Sequence, residues 1–449
     1  NAADEPVIII AAGCNYTFTG DILTNQYTIL RISSTQTSDI ELPSSITQLS
    51  SLIINRGNVA RKVILNSNLT ITDNISALVF ASGRFELNGK TITFSGTYDP
   101  NTSANFIMDA TEGSTVVFNG APTFAANGLI TDETTNFQMG AAATIHSTIT
   151  TLNNLTITTG TTALGGDLTL YGNLSVASGA TLNKATFNLT VYGDVSNLGT
   201  LTLSGASGTI TLYGQMIGSG TYTTGATTIL SIQGTSSQFV LPAGVTTLGT
   251  LTLNRPTGMK LMAGLTVGDG AAANNDVNIV LGDLDLNGFN LTLADVDAQI
   301  SETAGNTIIN TGLSTSTTGY VTTATAGTTA ANIATSGIGV PSITAGAATD
   351  IVVRRYPRTV PIAGVGLATH RIYYITAGAN VTAVTFEFDN TELYSNAADL
   401  KLYHTTDFTF VTSPTEVTGT VTENTPITGK GELAVSGVNI ATGNYYALA

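Results

Sequence analysis

An alternating apolar and polar unit recurs along this chain, and it constrains the fold more than any other feature. The blocks at residues 49–94 and 248–293 match at a constant offset of 199 residues, so that Arg56 in the first corresponds to Arg255 in the second. A looser third copy runs through residues 152–191. Repetition of such a unit predicts an array of stacked short strands in which each repeat contacts its neighbours.

The spacing of the repeat indicates how the strands stack. The segment Leu-Thr-Leu-Tyr-Gly-Asn-Leu that begins at Leu168 recurs in similar form from Leu189 and again from Ile210, so the two steps are equal. A period of about 21 residues without helical signals predicts a β-solenoid (β-helix), with apolar residues inside and rows of Thr and Asn outside. At this period, residues 21–310 would form about 14 turns.

A competing architecture is an array of antiparallel hairpins. Asn88-Gly89 and Asn287-Gly288 lie between alternating strands, and Asn-Gly is the strongest short-range signal for a hairpin. The corner of a solenoid also needs residues in the left-handed conformation, which Asn-Gly supplies. The fixed step between the three similar segments therefore favours the solenoid.

The C-terminal part of the chain has a different composition. From about residue 350 aromatic residues become frequent, and roughly six or seven strands separated by turn signals predict a β-sandwich. The predicted fold class is therefore all-β, a β-solenoid of roughly 21-residue turns followed by a C-terminal β-sandwich domain. The predicted boundaries are 1–20 for an N-terminal strand segment, 21–350 for the solenoid and 351–449 for the sandwich. Residues 311–349 are rich in Thr, Ala, Gly and Ser, and we expect terminal coil turns with small side chains there.

The N-terminal segment contains four β-branched residues in a row: Val7, Ile8, Ile9 and Ile10. They follow Pro6, and the pattern predicts a strand that is buried on both faces. Two interpretations are open. The strand either covers the first turn of its own array or is donated to a neighbouring molecule, which would make these four residues a subunit interface.

Charge and composition argue against several classes of partner. The formal net charge is −15, and only 10% of the residues are charged. Nucleic acids and anionic membrane surfaces attract clusters of Lys and Arg, so neither is an expected partner. No apolar run is long enough to cross a bilayer, so membrane insertion is not expected either. Cys14 is the only cysteine, and we expect it to be a small buried side chain.

The repeats and the tail resemble a known kind of protein. The run at residues 247–293, with Leu-Asp-Leu-Asn-Gly at 284–288, resembles the repeats of large surface proteins exported by the type IX route. Three tail segments resemble the β-sandwich that often follows those repeats, at residues 371–375, 386–388 and 400–403. The resemblance implies an adhesin, surface-layer material or an appendage, and hence a location outside the cell on the surface of a bacterium.

The resemblance covers most of residues 45–95 and 150–449. The chain departs from it by lacking Trp and by having His404 where an Arg is common. The first residue is not Met, which fits an exported protein with a cleaved leader and equally an engineered start. No sorting domain follows residue 449, which fits either processing or a different export route.

β-Solenoids include enzymes that degrade polysaccharides, so catalytic groups have to be considered. Such sites need converging carboxylates, or cations beside bound calcium, on one face of the coil. Asp283 and Asp285 share the outward face of one strand, but the matching positions of the other copy are Arg84 and Glu86. We therefore expect Asp283 and Asp285 to be solvated surface residues.

Metal and cofactor sites are not predicted. Asp295-Val296-Asp297 with Glu302 lacks the glycine and the ligand spacing of a calcium loop. The three histidines, His146, His370 and His404, have no second ligand at a suitable spacing. We also expect the tyrosines that recur with the repeat to stack as a ladder in place of binding sugars: Tyr171, Tyr192 and Tyr213.

The sequence therefore predicts a non-catalytic structural subunit of an extracellular filament or surface appendage. Copies of the chain would form a homopolymer, head to tail, by strand addition. The alternative is a monomeric cell-surface adhesin whose C-terminal sandwich binds a surface glycan or a protein. A third interpretation is a polysaccharide-degrading β-helix enzyme.

Overall fold

The computed structural model is all-β, and every regular element in its described part is a strand. The described residues are 6–10, 21–33, 38–72, 78–98, 106–124, 128–205, 207–268, 276–294, 300–303, 305–312, 318–323, 342–345, 352–357, 361–363, 365–367, 371–376, 381–389, 401–406, 410, 414–417, 420–424, 430–440 and 444–449. The chain divides into two compact units, Asn1–Thr223 and Thr224–Ala449.

The N-terminal unit contains strands β1 to β26. They are β1 Val7–Ile10, β2 Ile29–Ser33, β3 Ile40–Glu41, β4 Gln48–Leu49, β5 Ser51–Asn55, β6 Lys62–Ile64, β7 Leu69–Ile71, β8 Leu78–Glu86, β9 Thr91–Phe94, β10 Phe106–Asp109, β11 Thr115–Phe118, β12 Leu129–Ile130, β13 Asn136–Met139, β14 Ala143–Ile145, β15 Thr151–Leu152, β16 Leu155–Ile157, β17 Thr161–Leu164, β18 Leu168–Leu170, β19 Leu174–Val176, β20 Thr181–Asn183, β21 Leu189–Val191, β22 Val195–Asn197, β23 Thr200–Thr202, β24 Thr209–Leu212, β25 Met216–Ile217 and β26 Thr221–Thr223.

The C-terminal unit contains strands β27 to β49. They are β27 Ile229–Ile232, β28 Phe239–Leu241, β29 Thr247–Leu248, β30 Thr250–Asn254, β31 Met259–Leu261, β32 Leu265–Val267, β33 Val277–Leu281, β34 Leu284–Asp285, β35 Leu291–Leu293, β36 Ile300–Glu302, β37 Ile308–Ile309, β38 Val321–Thr323, β39 Ser342–Ala345, β40 Val352–Pro357, β41 Pro361–Ile362, β42 Gly366–Leu367, β43 Arg371–Thr376, β44 Val381–Asp389, β45 Leu402–Thr405, β46 Thr415–Glu416, β47 Thr420–Asn424, β48 Lys430–Ile440 and β49 Asn444–Leu448.

The strands of the N-terminal unit form parallel ladders. The ladders are β1-β2-β5-β8-β10-β12, β4-β7-β9-β11-β13-β16-β19-β22-β25, β14-β17-β20-β23-β26, and β15-β18-β21-β24, and β6 pairs with both β8 and β3. Strands that follow one another along the chain belong to different ladders, and each strand pairs with one from the next turn. This is a parallel β-solenoid, as predicted. Asn88 and Asn287, which favoured hairpins, occupy left-handed positions at φ of 52° and 50°.

The spacing of the turns varies around the predicted value. Leu168, Leu189 and Ile210 are consecutive partners in one ladder, which confirms the predicted step of about 21 residues. The turn that joins Leu52 to its partner Leu78 is longer than those two. Because several turns are longer, the described residues form about 12 turns of coil, fewer than a uniform period predicts.

Alternation of side chains along each strand places the core inside the coil. In β18, β21 and β24 the apolar residues are buried and the threonines between them are half-buried. A shift of one residue would move every leucine of a strand to the outside, so burial fixes the register of each rung.

The corner that follows these strands explains the repeated Tyr-Gly-Asx segment. The side-chain oxygen of Asn173 accepts a hydrogen bond from the backbone N–H of Asp194, and that of Asp194 accepts one from Gln215, both at 2.8 Å. A Cβ atom on Gly193 would lie 2.5 Å from the carbonyl oxygen of Gly172 in the preceding turn. The glycine is therefore required by the close approach of successive turns.

Replacing Gly193 by alanine should lower the free energy of unfolding by about 1–3 kcal/mol, because the added Cβ forces two turns apart. Urea denaturation of the variant and the unmodified protein measures the difference. Gly225→Ala is the control, since its Cβ would meet no atom within 4 Å and its φ is not positive. Equal stability of the two alanine variants would contradict the packing described here.

The coil of the C-terminal unit has three parallel ladders: β27-β30-β33-β36, β28-β31-β34-β37 and β29-β32-β35-β38. The two sequence copies have the same local structure. In each, the arginine is fully buried and donates a hydrogen bond to a carbonyl 18 residues earlier, from Arg56 to Ser38 and from Arg255 to Ser237. The two acceptors are separated by the same offset as the arginines, so the duplication extends beyond the matched blocks.

Two antiparallel sheets form the C-terminal sandwich. One has the order β40-β43-β49-β45-β46, and the other has the order β39-β44-β48-β47. Aromatic side chains connect them, because the ring of Phe386 lies 4.8 Å from that of Tyr373 and 6.5 Å from that of Tyr446.

Strands near the predicted boundary at residue 351 belong to both architectures. β38 is parallel to β35 on one side and antiparallel to β40 on the other, so the last described coil strand continues into a sandwich sheet. β39 pairs antiparallel with β44. We expected coil turns throughout residues 311–349, and β39 is instead a sandwich strand, because small side chains fit either kind of sheet. Residues 313–317, 324–341 and 346–349 of that segment lie outside the described part.

A buried ion cluster connects the coil of the C-terminal unit to its sandwich. The carboxylate of Glu302 in β36 forms ion pairs with Arg355 in β40 and Arg371 in β43. It also accepts hydrogen bonds from Thr307 Oγ1 at 2.7 Å and Ile308 N–H at 2.9 Å. Burial alone would raise the pKa of Glu302, but the two arginines lower it well below its usual range.

Candidate functional site

One edge of β1 is free of pairing in the described structure. β1 pairs with β2 in parallel register from Val7 to Ile10, and Ile29 N–H donates to the carbonyl oxygen of Pro6 at 3.0 Å. Alternate residues of a parallel strand bond to a given neighbour, so the backbone groups of Val7 and Ile9 point away from β2. No described strand pairs with that side.

The side chains of β1 divide between the core and solvent. Ile10 is buried and Ile8 is half-buried, whereas Val7 and Ile9 are 50% and 58% exposed. The prediction of a strand buried on both faces is therefore wrong, since the wall of a solenoid has only one buried face. β1 covers the first turn of its own chain, and a neighbouring molecule would contact only its outer edge.

Further exposed apolar side chains occur in the same part of the chain. Leu23, Ile9 and Tyr27, at 91%, 58% and 57%, are the most exposed large hydrophobic residues of the described structure. The hydrogen bond between Ile29 and Pro6 brings the turn at Tyr27 close to the start of β1. Exposed apolar residues favour interaction with a partner, and Tyr27 lies just before the strand that pairs with Val7 and Ile9.

Two terminal strands of the sandwich sheets differ from β1 in charge. β46 ends its sheet and includes Glu416, which forms an ion pair with Lys401 at 3.0 Å. β47 ends the other sheet and includes Glu423. Charged residues on an edge strand discourage pairing with other chains. β1 has no charged residue and so lacks this protection.

The two carboxylates considered for catalysis accept hydrogen bonds from backbone groups of the next turn of the coil. Asp285 is buried, and its carboxylate accepts hydrogen bonds from the N–H groups of Asn287 at 2.8 Å and Thr311 at 2.9 Å. Asp283 accepts a hydrogen bond from Thr307 N–H at 3.0 Å. The expectation that Asp285 is a solvated surface residue is wrong, because its carboxylate replaces missing backbone partners at a corner.

The other candidate residues either have structural partners or lie outside the described residues. Glu302 belongs to the buried ion cluster, and Asp295-Val296-Asp297 lies outside the described residues. His146 contacts Thr148, and burial lowers the pKa of His404 beside Tyr446. His370 and Cys14 are also outside the described part. Where the structure describes side chains, no three of the types that bind metals are grouped.

Sequence reasoning missed a buried lysine. Lys184 is fully buried, and its ammonium group donates to the carbonyl oxygens of Phe187 at 3.0 Å, Ser207 at 2.8 Å and Gly208 at 3.1 Å. Burial lowers its pKa. The only signal in the sequence was a charged residue directly after a strand, and that signal does not distinguish a buried corner from an exposed one.

The predicted tyrosine ladder is present. The rings of Tyr171 and Tyr192 are 5.2 Å apart and those of Tyr192 and Tyr213 are 4.4 Å apart, each pair inclined by 17°. Stacking covers the faces between successive rings. A sugar would need those faces, so the ladder is better suited to joining turns than to binding a glycan.

Comparisons with known proteins leave the fold and the geometry as the basis for function. No family model matches the chain, and neither a curated protein nor a solved structure gives a match. Within the described residues, no helix has the length and apolar character that a membrane span requires.

Proposed function

We propose that the chain is a non-catalytic structural subunit that assembles outside the cell, with the outer edge of β1 pairing with a second copy. The observation that carries this proposal is the outer edge of β1, which no described strand pairs, with its exposed Val7 and Ile9 side chains. A free edge that has apolar residues and no charge favours addition of another strand.

The first and the last described rungs differ in a way that supports the proposal. The last coil strand, β38, pairs with β40, so a sandwich sheet covers it. The first strand, β1, has no such cover among the described strands. Solenoids need caps at both ends for solubility. A second copy would supply the missing cap.

The edge that fits β1 on the second copy is β39. It ends its sheet in the described structure, has four residues like β1, and contains no charged residue in its sequence Ser-Ile-Thr-Ala. The contact would join different surfaces of the two copies, so it would not close on itself and would produce a filament. Because each copy has a net charge of −15, added salt should strengthen the assembly by screening repulsion.

Replacing Ile9 by lysine should abolish assembly, because a lysine on an edge strand disfavours pairing with another strand. Sedimentation velocity at physiological salt measures the size distribution. We expect polymers for the unmodified protein and monomers for Ile9→Lys. Leu198→Lys is the matched control, since Leu198 has a similar exposure of 55% but lies far along the chain.

A mixing experiment tests the direction of growth. Ile9→Lys protein still offers β39, so a small amount added to the unmodified protein should terminate filaments and shorten them in negative-stain images. Monomers at all concentrations for the unmodified protein, or equal assembly of both variants, would contradict the proposal.

A further inference from the structure

A row of polar and aromatic residues crosses one face of the first sandwich sheet. Arg354 in β40 pairs with Tyr374 in β43, which pairs with Tyr445 in β49. Thr322 in β38 lies beside Arg354 at one end of the row, and Thr405 in β45 lies beside Tyr445 at the other. Directly paired residues have side chains on the same face, so this row forms one surface.

The three central side chains of the row are half-buried and contact one another. The guanidinium carbon of Arg354 lies 5.7 Å from the ring centre of Tyr374 and 4.8 Å from that of Tyr320. The rings of Tyr374 and Tyr445 are 4.8 Å apart and inclined by 43°. Both tyrosines pack against the buried cluster around Tyr356 and are only half-buried, so part of each residue remains exposed to solvent.

Arg354 differs from the other two arginines of this sheet in its surroundings. Arg355 and Arg371 are buried and form ion pairs with Glu302. Arg354 is half-buried and forms no ion pair with a described carboxylate, although acidic residues outnumber basic ones two to one in the chain, 30 against 15. Its partners are the tyrosine rings and Tyr356, whose pKa burial raises to about 12.

Packing between neighbouring strands explains why tyrosines occur in this row. It does not explain why the row includes the guanidinium group of Arg354. A cation over tyrosine faces is stabilised by attraction to the electron-rich ring. Ring contacts use the face of the guanidinium group, and Tyr356 accepts one hydrogen bond from its edge, so other N–H donors of the five remain for a planar anion. Arginine binds carboxylates through two parallel hydrogen bonds, and tyrosine faces stack against the C–H surface of a sugar ring.

We infer that this row, which we call the Arg354 row, is a binding site for an acidic saccharide. Arg354 binds the carboxylate of a uronic acid residue, and Tyr374 and Tyr445 contact the sugar rings. Thr322 Oγ1 already donates to the carbonyl oxygen of Val353 at 3.1 Å, so the three central side chains make the contacts. The site is in the sandwich and makes no use of β1, so it stands whether or not the chain forms filaments.

Isothermal titration calorimetry of the full chain with a galacturonic acid oligosaccharide tests the inference. We expect binding of the free acid, and affinity lower by at least about tenfold for its methyl ester, because the ester cannot accept the charge-assisted pair of hydrogen bonds. Arg354→Met should lower affinity for the acid by a similar factor without changing affinity for the ester. Arg31→Met removes an exposed arginine of the N-terminal unit and should leave binding unchanged.

Two further measurements keep the result interpretable. Thermal unfolding of each variant shows whether the sandwich is intact, and Arg354→Lys serves if Arg354→Met does not fold. The lysine keeps the charge but lacks the planar fork, so it should also lose about tenfold in affinity. Absence of binding to the acid, equal binding of acid and ester, or unchanged affinity in the Arg354 variants would overturn the inference.

Discussion

Replacing Glu302 by glutamine is expected to lower the free energy of unfolding of the C-terminal unit by about 3–5 kcal/mol. The change removes the carboxylate that pairs with Arg355 and Arg371, and a buried charge that loses its partner is costly by about this amount. The amide can still accept hydrogen bonds from Thr307 and Ile308. The measured loss of stability therefore reports the removal of the negative charge alone. Urea denaturation followed by tyrosine fluorescence measures it.

The effect should depend on pH with a definite sign. The pKa of Glu302 is lowered in the folded protein, so its contribution is present above the unfolded value of about 4.5 and is lost as the pH falls further. The difference between the unmodified protein and Glu302→Gln should therefore shrink below that pH. Glu416→Gln, which breaks the exposed pair with Lys401, should cause no measurable change. Equal losses for the two glutamine variants would show that the cluster adds little stability.

Replacing Arg255 by methionine should lower the free energy of unfolding by about 2–4 kcal/mol, the second largest effect expected. The guanidinium group donates hydrogen bonds to the carbonyl oxygens of Ser237 and Gln233, each at 2.8 Å, and also to Ser236 Oγ. Each hydrogen bond from a charged donor contributes about 1.5–3 kcal/mol, and methionine leaves the buried acceptors without these donors. Urea denaturation again measures the change.

The duplication supplies an internal comparison for this prediction. Arg56→Met should also destabilise, because Arg56 is equally buried and donates to Ser38. Lys260→Met, at a half-exposed position of the neighbouring strand β31, should change the stability little. If both arginine variants were as stable as Lys260→Met, the buried arginines would not anchor the two copies.

The architecture could be predicted from the sequence because its cause is local. The regular step from Leu168 to Leu189 to Ile210 and the alternation of side chains determine both the pairing of turns and the buried face. The number of turns could not be predicted as well, since loops such as the one between Leu52 and Leu78 lengthen single turns without disturbing the ladder. The sequence predicts coil at β39, which pairs with β44 of the sandwich, because composition does not specify which sheet a small-residue strand joins.

The candidate sites depend on contacts that sequence spacing does not encode. Four β-branched residues in a row predict a strand at Val7 to Ile10. The exposure of its side chains could not be predicted, because it depends on where the coil begins. The pairing of Glu302 with Arg355 and Arg371 spans 53 and 69 residues and needs the sandwich to be in place. The constant offset between the two copies did identify Arg56 and Arg255 as equivalent, and the same offset between their acceptor serines was the available signal for their role.

Hydrogen exchange of the amides in β1 tests the central claim most directly. The N–H groups of Ile8 and Ile10 point to β2 and should be protected at every protein concentration. The N–H groups of Val7 and Ile9 point outward, so they should exchange quickly in dilute protein and become protected as the concentration rises. Rapid exchange at Val7 and Ile9 that does not change with concentration would contradict assembly through β1.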